Sequence, residues 1–318
     1  MRRAALIILA AISITACGGR KAGLASQADA PDPAAAQQTG KKTSFPMPSI
    51  PEAITAPEAR ASYLVKHFWD NFDFADTAYI KIPDVTEQGF ADFLNMLRFV
   101  PPHEADTALE RMMQGASRDK LMLDHFLELS ERYLYDPMSP MRDDEYYIPV
   151  LRYAVNSDKL DEVEKIRPKT HLEMVLQNRR GHRANDIAYT KADGSRGNLY
   201  NIKSPYTLLF VNNPDCTACA MIIEDLKASE VVNDMLSSGT LTILAVYPDK
   251  DLEAWRKHRV DIPGNWIYSY DAGQTMTSKR TYDLKAIPTL YLLDGEKNVL
   301  IKDAAEVFPI ERYLMAHY

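Results

Sequence analysis

The hydrophobic repeat of this chain changes once, near Gly181, and that change restricts the fold more than any other feature. Before it, apolar residues recur at helical spacing. Phe90, Phe93, Leu94 and Leu97 fall at i, i+3, i+4 and i+7, on one face of a helix. Leu109, Met112, Met113 and Ala116 repeat the spacing, as do Tyr147, Val150, Leu151 and Ala154. Met122, Phe126, Leu129 and Tyr133 form a further stripe. Pro101–Pro102, Pro137 with Pro140, and Pro168 punctuate these segments, because proline cannot continue a helix interior. Residues 51–180 are therefore expected to form a small all-helical domain of about five or six helices. Its Met, Tyr and Phe stripes are read as packing core. Its histidines, His67, His103, His125 and His171, are scattered and read as surface or capping residues.

Gly181 is placed to end the last helix as a C′ glycine, and short apolar runs follow it. Thr207 to Val211 (TLLFV) and Thr242 to Tyr247 (TILAVY) are continuously apolar, as strands buried on both faces are. Thr289 to Leu293 (TLYLL), the turn Asp294–Gly295 and Val299 to Ile301 (VLI) read as a hairpin. Helical segments are expected at Cys219 to Leu236, Leu252 to Arg259 and Pro309 to Ala316, with Pro309 suited to a first turn. Strands that alternate with helices, then pair as a hairpin, then end in a helix indicate an α/β sheet with helices on both faces. This second domain spans residues 181–318.

The ends of the chain carry a different kind of information. Arg2 and Arg3 precede an apolar stretch from Ala4 to Ile14 and small residues before Cys17, so residues 1–16 are expected to be a secretory signal peptide. The stretch is short for a bilayer-spanning helix, which needs about 20 residues. Ile14 to Cys17 (ITAC) resembles the lipobox of bacterial lipoproteins, in which the cysteine becomes the mature N-terminus and carries acyl chains. That resemblance implies a lipidated Cys17 and a protein held on a membrane of the cell envelope, facing the periplasm; several chains give stable anchoring where one does not. The alternative is an ordinary secreted protein with a chance cysteine. Residues 17–50 are rich in Ala, Gly, Pro, Gln and Ser and read as a flexible tether.

Composition, 46% hydrophobic and 25% charged, is that of a globular protein able to bury a core. Net charge is −7, and loss of Arg2 and Arg3 with the leader takes the 37 basic residues to 35 against 44 acidic, a charge of −9. With no local basic stripe to overcome this, nucleic acid is not expected as a partner.

Three cysteines remain to be assigned. With Cys17 acylated, Cys216 and Cys219 have only each other as disulfide partners. Cys216 follows the buried strand and opens the helix containing Ile222, Ile223 and Leu226. A thiol there faces free backbone N–H groups and the positive end of the helix dipole, both of which stabilise the reactive thiolate. The two-residue interval places Cys219 one turn further on, close enough to form a disulfide and to resolve a mixed one. A zinc site would need four ligands, and beyond this pair only the solitary His258 lies nearby downstream, so no metal is expected. A purely structural disulfide would close too small a loop to add much stability. Ile287–Pro288 stands immediately before a strand, where a cis X–Pro bond in a tight turn would explain the proline.

Cys216-Thr217-Ala218-Cys219 followed by Ile287-Pro288-Thr289 resembles the thioredoxin superfamily. Gly181 to Ile187 (GHRANDI) with Ala192 to Ile202 (ADGSRGNLYNI) is similar to the opening segment and Asp-Gly hairpin of its TlpA-like, membrane-anchored branch. The long interval from Cys219 to Pro288 leaves room for that branch's inserted helix–strand unit. The preceding helical part resembles the N-terminal domain attached to such modules in Bacteroidetes-type lipoproteins. The resemblance implies a thioredoxin-like α/β fold preceded by a small all-α domain. It also implies a catalytic Cys216–Cys219 pair packed against a cis-proline loop (Ile287, Pro288, Thr289) that presents backbone to a substrate peptide. The activity implied is extracytoplasmic thiol–disulfide exchange on disulfide-containing exported clients, with a membrane or periplasmic electron donor and no metal or organic cofactor. The alternative is a non-enzymatic thioredoxin-like binding module whose helical domain recruits a partner.

Two departures from the family pattern stand out. Asp215 occupies the position before the first cysteine, where the family carries an aromatic residue, and its carboxylate opposes thiolate formation by like-charge repulsion. It is expected to offset part of the helix-dipole effect and to favour a reducing couple. The family's buried acidic partner of the second cysteine has no determined counterpart among Glu224, Asp249 and Asp251. A peroxiredoxin is not indicated, since Asn213 stands where its signature threonine would be.

Overall fold

The structure is a computed structural model that describes residues 44–317. The expected signal peptide, Cys17 and most of the expected tether lie outside the described residues. The tether's end, however, belongs to the fold. The Phe45 ring stacks on Phe68 at 4.8 Å between centroids and stands edge-on to Trp69 at 5.1 Å. Gly89 makes room for it, because a Cβ there would overlap the Phe45 ring.

The helical region contains α1 (Pro57–His67), α2 (Glu87–Leu97), α3 (Pro102–Ala116), α4 (Lys120–Leu134), α5 (Asp144–Asn156) and α6 (Ile166–Val175). Pro57 and Pro102 begin α1 and α3, where the missing N–H would have no partner. Asp119 and Asp143 cap α4 and α5 by accepting backbone N–H bonds from Leu121 with Met122 and from Glu145. The four apolar stripes all face inward, with Tyr133 only partly covered. They meet an aromatic cluster of Phe68, Trp69, Phe72, Phe74, Phe93 and Phe126.

Two boundary expectations are corrected. Pro168 does not separate segments; it lies in the first turn of α6, where proline is tolerated, while Pro149 sits inside α5. Gly181 is not a helix cap, since α6 ends at Val175. The left-handed residue nearest that end is Asn178 (φ 48°), whose side chain donates to the Thr281 carbonyl and accepts the Asn185 N–H. Gly181 (φ 75°) instead turns the chain onto the sheet, donating its N–H to the Val299 carbonyl at 2.8 Å.

The sheet domain contains β1 (Ala188–Lys191), β2 (Arg196–Asn198), β3 (Tyr206–Val211), α7 (Thr217–Ala228), α8 (Glu230–Ser237), β4 (Leu241–Tyr247), α9 (Leu252–His258), β5 (Ile267–Tyr270), α10 (Thr275–Ser278), β6 (Thr289–Leu293), β7 (Val299–Ala304) and α11 (Phe308–His317). The strands form one seven-stranded sheet in the order β2-β1-β5-β4-β3-β6-β7. β3 lies inside the sheet, parallel to β4 and antiparallel to β6. The segment expected as one helix from Cys219 to Leu236 is two, because Ser229 caps α8 through the Val232 N–H. Leu208 and Phe210 of β3 face a core with Ile222, Leu226, Trp255 and Leu314 from α7, α9 and α11. Leu209 and Val211 face a second core with Ile187, Leu199, Met276 and Tyr282. Long helices therefore cover one face only. The other is closed by the single turn of α10 and by irregular segments, which bring enough buried aromatic and aliphatic surface to replace a helix.

Helical region and sheet domain meet across a buried ion network. Lys285 lies 3.0 Å from Asp144, 3.2 Å from Asp283 and 3.4 Å from Asp303. Lys302 lies 2.8 Å from Asp144 and donates to the carbonyls of Val175 and Gln177. Arg142 pairs with the Asp303 carboxylate at 3.6 Å and also donates to the Asp303 carbonyl. Burial opposes the Lys285 charge, but Asp144, Asp303 and Asp283 more than offset it and hold the ammonium above its usual value. Burial likewise opposes the Asp144 charge, yet Lys285 and Lys302 draw that carboxyl below its usual range. His171, expected at the surface, is half-buried. It stacks on Tyr135 at this boundary, and burial, with Arg167 and Lys285 nearby, lowers it to about 4.

Candidate dithiol site

Everything at the site hangs from the C-terminal end of β3. The strand is buried along both faces, so its path is fixed, and Asn212 extends it by donating its N–H to the Val246 carbonyl at 3.0 Å. The Asn212 side chain is buried and donates back to the Phe210 carbonyl. Asn213, Pro214 and Asp215 then turn the chain into α7, with exposed Asp215 in the left-handed region (φ 57°).

Cys216 is the N-cap of α7. Its backbone is extended, and its sulfur accepts the Cys219 N–H at 3.1 Å, the position a capping oxygen takes in other helices. Cys216 and Cys219 are joined as a disulfide, with Cα atoms 5.2 Å apart. The two sulfurs differ in exposure. Cys219 is fully buried in the core beneath α7, whereas Cys216 is half-buried at the surface.

The Ile287–Pro288 bond is cis. It brings the Ile287 carbonyl oxygen to 3.7 Å from the Cys216 sulfur. Thr289 pairs with Val211 across β6 and β3, so the strand leading into the cysteines and the strand leaving the proline are hydrogen-bonded neighbours. Cys216, Cys219, Asp215, Ile287, Pro288 and Thr289, separated by up to 74 positions in the numbering, thus share one end of the sheet. The Thr289 hydroxyl is committed elsewhere: it is buried and donates to the Asp303 carboxylate.

None of the three acidic residues near the pair in sequence is a buried partner for Cys219. Glu224 is a surface residue paired with Lys227, Asp249 is exposed, and Asp251 caps α9. The buried carboxylates of the sheet domain are, among the described residues, Asp271, Asp283 and Asp303. Beside the pair opens a surface cavity of about 510 Å³ lined by Pro214, Asp215, Asp251, Glu253, Lys257 and His258. Among the described residues no three His, Cys, Asp or Glu side chains are grouped to hold a metal ion. Sequence reasoning did not single out Arg142, Asp144, Lys285 or Asp303. The available signal was charge inside an apolar strand: Lys302 and Asp303 interrupt the run that starts at Val299.

Two family profiles match the chain: one described as a domain of unknown function (DUF5106) over residues 23–178, and one described as thioredoxin-like over residues 204–299. Comparison with curated proteins finds no match. Among solved structures, a thioredoxin-like protein from Bacteroides caccae is 46% identical, with 86% of this chain and 99% of that chain covered and a TM-score of 0.84. The C-terminal domain of an uncharacterized protein from Bacteroides fragilis is 48% identical over 43% of this chain and 98% of that one, with a TM-score of 0.43. A domain of a possible thiol-disulfide isomerase from Cytophaga hutchinsonii is 23% identical over 45% of this chain and 95% of that one, with a TM-score of 0.39. With a helical region followed by a thioredoxin-like sheet domain, and with nearly the whole length of the Bacteroides caccae protein matched, the chain belongs to the thioredoxin-like family.

Proposed function

We propose that the protein is a thiol–disulfide oxidoreductase that reduces or exchanges disulfides in exported client proteins, held at a cell-envelope membrane by a lipidated Cys17 and facing the periplasm. The observation that carries this reading is the asymmetry of the pair. A half-buried sulfur sits at a helix N-terminus beside the Ile287 carbonyl, and a fully buried sulfur stands behind it. In the reduced state the Cys216 thiolate attacks one sulfur of a client disulfide and expels the other, which takes a proton. The mixed disulfide lies against the edge at Ile287 and Pro288. Cys219 then attacks the Cys216 sulfur, releasing the client's second thiol. The client gains two electrons, Cys216–Cys219 becomes the disulfide, and a periplasmic or membrane dithiol donor restores it. Neither step calls for a metal or an organic cofactor.

The test uses purified protein and a disulfide-bonded protein substrate. Cys216→Ser should lose reduction, and Cys219→Ser should accumulate a covalent adduct through Cys216 that dithiothreitol releases. Full activity in Cys216→Ser would refute the catalytic role. Only non-covalent partners on Cys219→Ser would favour a binding module instead. In cells, Cys17→Ser should move the protein from the membrane to the soluble fraction; an unchanged membrane share would remove the lipid anchor from the reading.

A further inference from the structure

The helical region reaches the dithiol site through Asp303 and Lys285. Asp303 sits in β7 with left-handed backbone (φ 52°), close to where the β6–β7 register shifts between Leu290 and Leu292. Inside a buried strand, a non-glycine residue stays in that conformation when its surroundings over-determine it. Asp303 meets that condition. Its carboxylate accepts the Thr289 hydroxyl and lies beside Lys285 and Arg142, and its carbonyl accepts the Arg142 guanidinium.

Two of those contacts bracket Pro288. Lys285, its side chain only 3% exposed, lies three positions before it, and Thr289 directly follows it. The segment that places the Ile287 carbonyl 3.7 Å from the Cys216 sulfur is therefore tied at both ends to the same carboxylate. The other side of the network belongs to the helical region: Arg142, in the loop before α5, and Asp144, the first residue of α5. Such a network is a poor way to gain stability, because desolvation of six charged groups offsets their attraction and an apolar contact of equal volume would serve as well. What it supplies is a fixed geometry.

We propose that Arg142 and Asp144 are positioning residues for the dithiol site. They hold Lys285 and Asp303, which fix Thr289 and so set the peptide edge at Ile287–Pro288 against which the client segment carrying the disulfide docks. The inference rests on the oxidoreductase reading and gives the helical region a part in it. A client that must lie along this edge depends on the network. A small disulfide that needs only the Cys216 sulfur does not.

The experiment is a single-turnover reduction by the pre-reduced full chain of two probes: a peptide with one intramolecular disulfide, and dithionitrobenzoate. In Arg142→Ala and in Asp144→Asn, half-saturation by the peptide should rise about tenfold, since small displacements of a docking edge cost that much or more, with the limiting rate held within about twofold. The dithionitrobenzoate rate should stay within about twofold of wild type. Unchanged half-saturation in both variants would overturn the proposal, and so would equal losses with both probes. Where Arg142→Ala does not fold, Asp144→Asn decides, because it keeps the size of the side chain and removes only its charge. A wild-type protein inert toward dithionitrobenzoate would overturn the oxidoreductase reading and this proposal with it. A reactive wild type with indifferent variants would overturn this proposal alone.

Discussion

Asp215 stands directly before Cys216, where on the oxidoreductase reading its charge would tune the sulfur without touching it. It is exposed and held in a left-handed turn directly before Cys216, so its charge acts largely through solvent and its effect is modest. A carboxylate there disfavours negative charge on the Cys216 sulfur and thereby disfavours the reduced pair. Asp215→Asn should make the couple more oxidising, raising its potential by an amount on the order of 10 mV, read by equilibration against a glutathione buffer. A shift in the opposite direction would show that the turn geometry, and not the charge, matters. Both cysteines, the proline and Asp215 were legible in the sequence because their signals are local: a two-residue interval, a proline before a strand, a charge where an aromatic is expected. Asp303 was not, because its importance comes from residues far from it in the chain, Arg142 above all.

Among the elements, α3 shows packing overruling propensity. Gly115 lies within that helix, where alanine would ordinarily be favoured by about 1 kcal/mol. A Cβ at Gly115 would overlap the Phe74 ring, and Phe74 is itself enclosed by Trp69, Phe72 and Phe126. Overpacking of that kind costs roughly 1–3 kcal/mol, so Gly115→Ala should lower stability despite the better helix former. A urea denaturation midpoint that rises in the variant would contradict this. The apolar stripes of α2 to α5 were legible because period alone specifies them. The break between α7 and α8 was hidden, since the stripe runs on across Ser229 and the helix is interrupted at that one residue, whose backbone turns extended and whose side chain caps α8. The second face of the sheet was misjudged for a related reason: segments such as 276–284 cover it without any repeat, and irregular backbone leaves no periodic trace.

For the whole molecule, the ion network is the feature that joins two regions of different architecture. Lys302, its side chain 4% exposed, is shared between Asp144 and the carbonyls of Val175, the last residue of α6, and of Gln177 just beyond it. Lys302→Met keeps the length of the side chain but leaves Asp144 with Lys285 alone. Removal of one partner of a buried pair costs about 3 kcal/mol or more, and the loss should appear in chemical denaturation. Adding Asp144→Leu to that variant should recover part of it, because two neutral groups replace one stranded charge. A single variant as stable as wild type would mean that water reaches the site freely.

The composition of that network also bears on how the two regions find each other. Arg142 and Asp144 on one side sum to zero, and so do Lys285 and Lys302 with Asp283 and Asp303 on the other. The network itself therefore supplies no net monopole to draw the two sides together from a distance, and its attraction acts at short range. Association then depends on the covalent link between α6 and β1, which keeps each surface at high effective concentration for the other. Supplied as separate polypeptides, the two regions would meet without steering by the network, and because residues 51–180 and 181–318 are both net acidic, added salt would ease their repulsion and speed association.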